Sequence, residues 1–323
     1  MCTAISMKTG DSYSGRNLDY EHTFGESIVI TPRNYHIGFT GGTCVKSHYA
    51  MIGTALVRDN YPLYFDAANE KGLSVLGLNF PGNACYNESL QGMENVASYE
   101  FIPKILSLCM NVREAKQMIE NMNITDKQFA SDMPPSPLHW FVTDGENSLT
   151  VEQTEKGITV YDNPVGVLTN NPSFDMQLSN LSNYKHLSPY EAENKFSEKV
   201  EIASCSRGSG AVGLPGDLSS MSRFVRAAFT KLNIICDSDE ASSVTAFFHA
   251  LYSVYQNKGC VRLETGLEKT NYSCCYNLSK GIYYCTTYDN FGIRAFDMHR
   301  ENLDTKELVE YPLYKKTEFD FCN

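Results

Sequence analysis

Between residues 27 and 80 short apolar runs alternate with turn-forming residues. Ser-Ile-Val-Ile-Thr occupies 27–31, Ala-Met-Ile-Gly-Thr-Ala-Leu-Val 50–57 and Gly-Leu-Ser-Val-Leu-Gly-Leu-Asn-Phe 72–80. Runs of this length and composition predict strands. In the last, Leu73 and Val75 fall on one face and Leu76, Leu78 and Phe80 on the other, so a sheet covered on both faces is expected. The first nineteen residues read as a hairpin: Cys-Thr-Ala-Ile-Ser-Met at 2–7, a polar turn at 9–12, then Gly-Arg-Asn-Leu-Asp at 15–19. A helix is predicted near 99–109, and a second from the helical spacing of Val112, Ala115, Met118, Ile119 and Met122. Strands return at 138–143, 148–153, 157–161 and 166–169. Leu218, Met221, Val225, Ala228, Phe229 and Leu232 predict a helix capped by Asp217, and Val244, Phe247, Phe248, Leu251 and Tyr255 another. Three strands close the pattern at 272–278, 281–287 and 291–296. Strands grouped together and helices grouped together point to an α+β fold of stacked layers rather than a doubly wound parallel sheet.

Composition narrows the function. The net charge of -11, with no basic run, argues against a nucleic-acid partner and requires an anionic substrate to be met by local arginines. No run of about 18 apolar residues predicts a membrane span, and no secretory signal precedes the first strand, so a cytoplasmic protein is expected. Eleven cysteines, an odd and irregularly spaced set, then read as reduced thiols. Adjacent Cys274 and Cys275 do not suit a mutual bridge. No Gly/Ser linker or repeat divides the 323 residues, so one domain over 1–323 is expected, with polar 182–203 as a surface insertion.

Gly208-Ser-Gly-Ala-Val-Gly213 matches a dinucleotide-binding fingerprint in letters only, because no strand precedes it and Pro215-Gly216 interrupts the helix that should follow. Histidines lack paired ligand spacing and no Cys-x-x-Cys occurs, so neither a metal nor another cofactor is expected. A G-x-S-x-G elbow is absent as well.

Cys2 is the strongest chemical candidate. Removal of Met1 would leave one residue holding both a thiol, with a pKa of about 8.5, and an α-amine, with a pKa of about 7.7–8.0, a nucleophile with its own base. A small residue after Met and a buried Cys at a strand start are also ordinary features of chains without catalysis. Arg16 and Asp19 on the returning strand could bring a cation to the thiol and a carboxylate to the amine; otherwise they form an exposed ion pair.

Cys-Thr at the start, Gly-Arg-Asn-Leu-Asp at 15–19, Gly-Leu-Asn-Phe-Pro at 77–81, Leu-Thr-Asn-Asn-Pro at 168–172 and Gly-Leu-Pro-Gly-Asp at 213–217 resemble the choloylglycine hydrolases. The matches run in the family's order from residue 2 to about 296. This family of N-terminal-nucleophile amidohydrolases comprises bile salt hydrolases and penicillin V acylases. The resemblance implies a four-layer αββα sandwich, assembly as a homotetramer to which 182–203 contributes, and hydrolysis of glycine- or taurine-conjugated bile salts. It also implies a catalytic set of Cys2, Arg16, Asp19, Asn79, Asn170 and Arg223, with Asn79 and Asn170 stabilising the oxyanion. Amphipathicity alone puts Arg223 opposite the apolar stripe of its helix, as a solvated cation.

Aromatics expected in loops, Tyr20, Phe24, Tyr61, Tyr64, Phe65, Phe129 and Trp140, suit a steroid wall, though core packing is their commoner use. Ser206-Arg207-Gly208 resembles family variants that favour taurine conjugates, with Arg207 reading the sulfonate. Penicillin V acylase is the nearest alternative, against which Asn79 speaks, since the family's penicillin acylases often carry Tyr there. A non-catalytic carrier of amphiphiles is the alternative of another class.

Overall fold

The computed structural model describes residues 1–42 and 44–323. Two antiparallel sheets face each other. The first runs in the order Val167–Leu168, Cys2–Lys8, Ser12–Tyr20, Gly266–Asn277, Ile282–Thr287, Asn290–Asp297, with Val261–Leu263 paired to Gly266–Asn277. The second runs Gly157–Asp162, Ser148–Thr154, Leu138–Thr143, Ser74–Asn79, Tyr61–Asn69, Met51–Arg58, Ser27–Thr31, Val309–Pro312. Helices Ser220–Asn233 and Glu240–Tyr252 cover the outer face of the first sheet, and Phe101–Leu108 and Val112–Ile119 that of the second. The result is the four-layer αββα sandwich.

The double-sided strand at 72–80 shows why four layers form. Leu76 and Leu78 join a core that includes Phe141, Ile5 and Phe247, whereas Leu73 and Val75 join a second core with Phe101, Ile105 and Ile119. Alternation with period two makes a sheet apolar on both faces, and only a layer on each side removes both from water. The N-terminal hairpin forms with Cys2 opposite Leu18 and Ala4 opposite Arg16. Gly15 is needed for its fit to the next strand, since a Cβ there would lie 2.0 Å from the carbonyl oxygen of Cys274.

Several sequence expectations are corrected. Tyr61, Tyr64 and Phe65 lie on the strand Tyr61–Asn69 rather than in a loop, masked by Pro62, which ordinarily argues against a strand. Trp140 is fully buried within Leu138–Thr143, its ring 4.3 Å from that of Phe101. Met122 begins a strand, Met122–Thr125, and Tyr255 lies beyond its helix. Ser219, not Asp217, is the N-cap of Ser220–Asn233; Asp217 instead accepts hydrogen bonds from the Ser219 N–H at 2.9 Å and the Ser222 hydroxyl at 2.6 Å. Residues 185–208 carry no helix or strand and are largely exposed. All eleven cysteines are free thiols. No helix of the described residues is long and apolar enough to cross a membrane.

Candidate active site

Alternation along the hairpin sorts the site onto two faces. Cys2, Arg16 and Leu18 share the face that opens into a cavity of about 250 Å³, whose wall also includes Asn79. Thr3 and Asp19 point the other way, towards helix Ser220–Asn233. Cys2 is 5% exposed, and Arg16, Asp19 and Arg223 are at most 1% exposed. A larger cleft, about 670 Å³, is lined by Ser6 to Lys8 and by Lys116, Glu146 and Lys231, away from Cys2 and all the predicted site residues.

Arg16 reaches from the hairpin to the second sheet. Its Nη1 donates to the Gly77 carbonyl and, at 3.3 Å, to that of Phe65, so the guanidinium ties Cys2 to the strands carrying Asn79 and Phe65. Burial pushes its pKa down, but the neighbouring Cys2, Tyr272 and Asp66 outweigh that and raise it overall.

Arg223 corrects the amphipathic reading of its helix. The buried face runs through Arg223, Phe224, Ala227 and Ala228, and Leu232 of the expected apolar stripe is 61% exposed. Arg223 donates through Nη1 to the Cys2 carbonyl and, at 2.7 Å, to Thr3 Oγ1, through Nη2 to Asn170 Oδ1 at 2.8 Å, and through Nε to Leu218 O at 3.0 Å. Asp19 Oδ2 lies 4.0 Å from Nη1. Burial lowers the pKa of Arg223 and raises that of Asp19, each opposed by the charge of the other. A fork of donors meeting several fixed acceptors explains why an arginine occupies a site that patterning assigns to the surface.

Asn170 Oδ1 accepts from the Cys2 backbone N–H at 2.8 Å as well as from Arg223, while its Nδ2 donates to the Asn79 carbonyl at 2.7 Å. This orientation follows from the network, because a flipped amide would set its NH2 against two donors. Asn170 therefore presents its oxygen to the Cys2 backbone nitrogen, a different use from the oxyanion donor expected of it. Its own backbone is held by Ser220 Oγ at 2.8 Å and Gln177 Nε2 at 3.0 Å. The Asn79 side chain lines the cavity and makes no hydrogen bond among the described residues.

With Met1 attached, its ammonium is bound by the buried carboxylate of Glu268 and, at 2.7 Å, by the Asp19 carbonyl. Burial raises the pKa of Glu268, and that ammonium opposes the rise. The Asp19 carboxylate accepts from Thr270 Oγ1 at 2.7 Å and Gln256 Nε2 at 3.3 Å rather than from the Cys2 N–H. Sequence reasoning missed Gln256, Glu268 and Thr270, which carry no local signal: Glu268 and Thr270 reach the site on the strand Gly266–Asn277 that pairs with the hairpin, and Gln256 from the loop after helix Glu240–Tyr252, hydrogen-bonded to Thr270.

Of the aromatics, Tyr20, Phe24, Tyr64, Phe65 and Phe129 line the cavity, joined by Tyr99, Met133 and Pro134 to Pro137. Tyr61 does not. It packs behind Tyr99 and Phe129, with ring centroids at 5.8 and 5.7 Å. Arg207 is exposed and lies outside the cavity wall, so the fold of one chain does not bring it to Cys2.

The model of linear amide C–N hydrolases, choloylglycine hydrolase family, matches residues 2–311. The chain belongs to the choloylglycine hydrolase family. It is therefore an enzyme of the linear amide C–N hydrolase class. It is 48% identical over the full length of both chains to the bile salt hydrolase/transferase of Lactiplantibacillus plantarum, and 38% identical to that of Clostridium perfringens over 98% of each. A crystal structure of a variant of conjugated bile acid hydrolase from Clostridium perfringens superposes over all of both chains with a TM-score of 0.93 at 36% identity. Penicillin V acylase from Agrobacterium tumefaciens shares the fold, with a TM-score of 0.75 at 18% identity over 97% of this chain and 92% of that one.

Proposed function

We propose that this choloylglycine hydrolase cleaves the amide of glycine- and taurine-conjugated bile salts with Cys2 as the nucleophile. The observation carrying this reading is a buried Cys2 in the wall of an apolar, aromatic-lined cavity that also presents Arg16 and Asn79. A steroid offers flat apolar faces to such a wall, and the curated relatives bear the names of bile salt hydrolases.

Removal of Met1 frees the Cys2 amine, which Asn170 Oδ1 orients. The amine takes the thiol proton, the thiolate attacks the amide carbon, and a carbon–sulfur bond forms. Arg16 favours the thiolate electrostatically. The uncommitted Asn79 amide donates to the oxyanion as the tetrahedral intermediate forms, and the intermediate then collapses to a thioester. The carbon–nitrogen bond breaks, glycine or taurine leaves with the proton from the Cys2 ammonium, and water activated by the amine hydrolyses the thioester. Arg223 and Asp19 hold the Cys2 backbone and surround the amine with fixed charge. Thiol and amine share one residue, so their titrations are coupled.

While Met1 remains, the Cys2 nitrogen is an amide whose lone pair is delocalised into the carbonyl and cannot act as base. Protein whose mass begins at Cys2 is expected to release glycine or taurine in a ninhydrin assay, and protein retaining Met1 to be inactive. Full turnover by the Met1 form would sink the mechanism.

Taurine preference, one domain over 1–323, tetrameric assembly through 182–203 and a cytoplasmic setting that keeps the thiols reduced belong to the same proposal. Arg207 makes no salt bridge or side-chain hydrogen bond among the described residues, which leaves its guanidinium free for a sulfonate. Acting on substrate requires its segment to reach a cavity from a neighbouring copy or by folding back. Arg207→Ala is expected to lower the taurocholate-to-glycocholate ratio of kcat/KM several-fold. An unchanged ratio removes the taurine reading, and a monomer in sedimentation velocity at assay concentration removes the assembly.

A further inference from the structure

The layer between the two sheets holds a carboxylate that this scheme does not use. Asp66, on Tyr61–Asn69, is fully buried. The hydroxyls of Tyr272 and Tyr276 donate to its two oxygens at 2.5 Å each, the Cys274 thiol lies 3.6 Å from one, and Arg16 Nη1 lies 3.9 Å from the other. Residues 272, 274 and 276 share one face of Gly266–Asn277, and Cys274 pairs with Arg16. Burying a charge here is costly without such partners, so this arrangement points to a purpose beyond packing. Burial holds both tyrosines well above their ordinary pKa, so they remain donors.

Arg16 otherwise donates only to the backbone carbonyls of Asn17, Phe65 and Gly77, which leaves Asp66 as the one carboxylate within 4 Å of its guanidinium among the described residues. We propose that Asp66 is a positioning residue that sets how strongly Arg16 favours the Cys2 thiolate, and that Tyr272 and Tyr276 tune it by drawing off part of its negative charge. The proposal rests on Cys2 being the nucleophile. Tyr20 of the hairpin shares the cavity wall with Cys2, and Arg223 from helix Ser220–Asn233 donates to the Cys2 carbonyl; Glu268 of Gly266–Asn277 acts on Arg223. Around Asp66 stand also Tyr283 and Cys285 of Ile282–Thr287, both with raised pKa through burial and therefore uncharged.

The two halves of the device carry opposite signs. Asp66→Asn removes the negative charge, leaves the field of Arg16 unopposed and is expected to lower the Cys2 thiol pKa by about half a unit to one unit. Tyr272→Phe and Tyr276→Phe each remove a donor, concentrate charge on Asp66 and are expected to raise it by about half a unit. The measurement is the pH dependence of iodoacetamide alkylation of Cys2, followed by mass spectrometry of the N-terminal peptide, with thermal melting as a check on folding. Shifts of opposite sign in folded variants support the proposal; no shift, or shifts of one sign, overturn it. Should Asp66→Asn fail to fold, the tyrosine variants decide alone, an upward shift supporting the proposal and an unmoved pKa overturning it. The readout needs no turnover, so opposite shifts in a protein that leaves bile salts intact would keep this assignment and discard the substrate.

Discussion

Cys2→Ala is expected to abolish hydrolysis of taurocholate and glycocholate, a loss of roughly four to six orders of magnitude, as when the nucleophile is deleted from an enzyme with covalent catalysis. The cavity wall is unchanged by the loss of one sulfur atom, so binding measured by calorimetry should stay within a few-fold of the parent. Cys2→Ser is the more searching variant. It keeps a small second residue and therefore removal of Met1, but a hydroxyl is far harder to ionise than a thiol, and Arg16 cannot make up that difference. Its kcat should fall by orders of magnitude with KM little altered. Substantial turnover by Cys2→Ala would discard the covalent mechanism, and inactive Met1-retaining Cys2→Ser would test processing instead of chemistry, so N-terminal masses must accompany both assays.

Arg223→Leu is expected to cost both stability and activity. The change leaves the Cys2 carbonyl, Thr3 Oγ1 and Asn170 Oδ1 each short of a buried donor and Asp19 without its nearest cation. Removing one partner of a buried ion pair costs about 3–5 kcal/mol. A denaturant midpoint in urea should fall accordingly. Hydrolysis should drop at least about a hundredfold even under conditions where the variant is folded, because Arg223 and the Cys2 backbone nitrogen meet on the same Asn170 oxygen. Arg223→Lys restores a charge without the fork and is expected to regain part of the stability but little of the activity. A folded Arg223→Leu protein with parental stability and turnover would show that the guanidinium is incidental.

These expectations draw on features that were unequally readable along the chain. The hairpin, the two-faced strand at 72–80 and most strand limits followed from alternation, because a pleated strand sorts neighbouring residues by face wherever it lies in a protein. Cys2, Arg16 and Asp19 were legible together, since seventeen residues of hairpin separate them and local pairing suffices to gather them. Asn79, Asn170 and Arg223 were reached by resemblance, their motifs being short and their residue types common in turns and on surfaces. Tyr61–Asn69 was misread because Pro62 breaks the strand pattern, and Tyr61 consequently counted as a wall residue when it backs the wall.

Arg223 marks the boundary between the two kinds of information. The hydrophobic pattern determined that a helix forms here, observed as Ser220–Asn233, but its rotation was decided by what the helix touches. Its phase turns a cation inward because Cys2 O, Thr3 Oγ1 and Asn170 Oδ1 converge there to accept three hydrogen bonds from the rigid guanidinium, and their combined hydrogen bonding outweighs the exposure of Leu232. Asp66, Gln256, Glu268 and Thr270 are likewise invisible as functional residues in one dimension, lying up to about 267 positions from the atoms they serve. Periodicity records which side of an element is dry; which buried polar groups meet inside depends on long-range strand register, and that is a property of the closed tertiary structure alone.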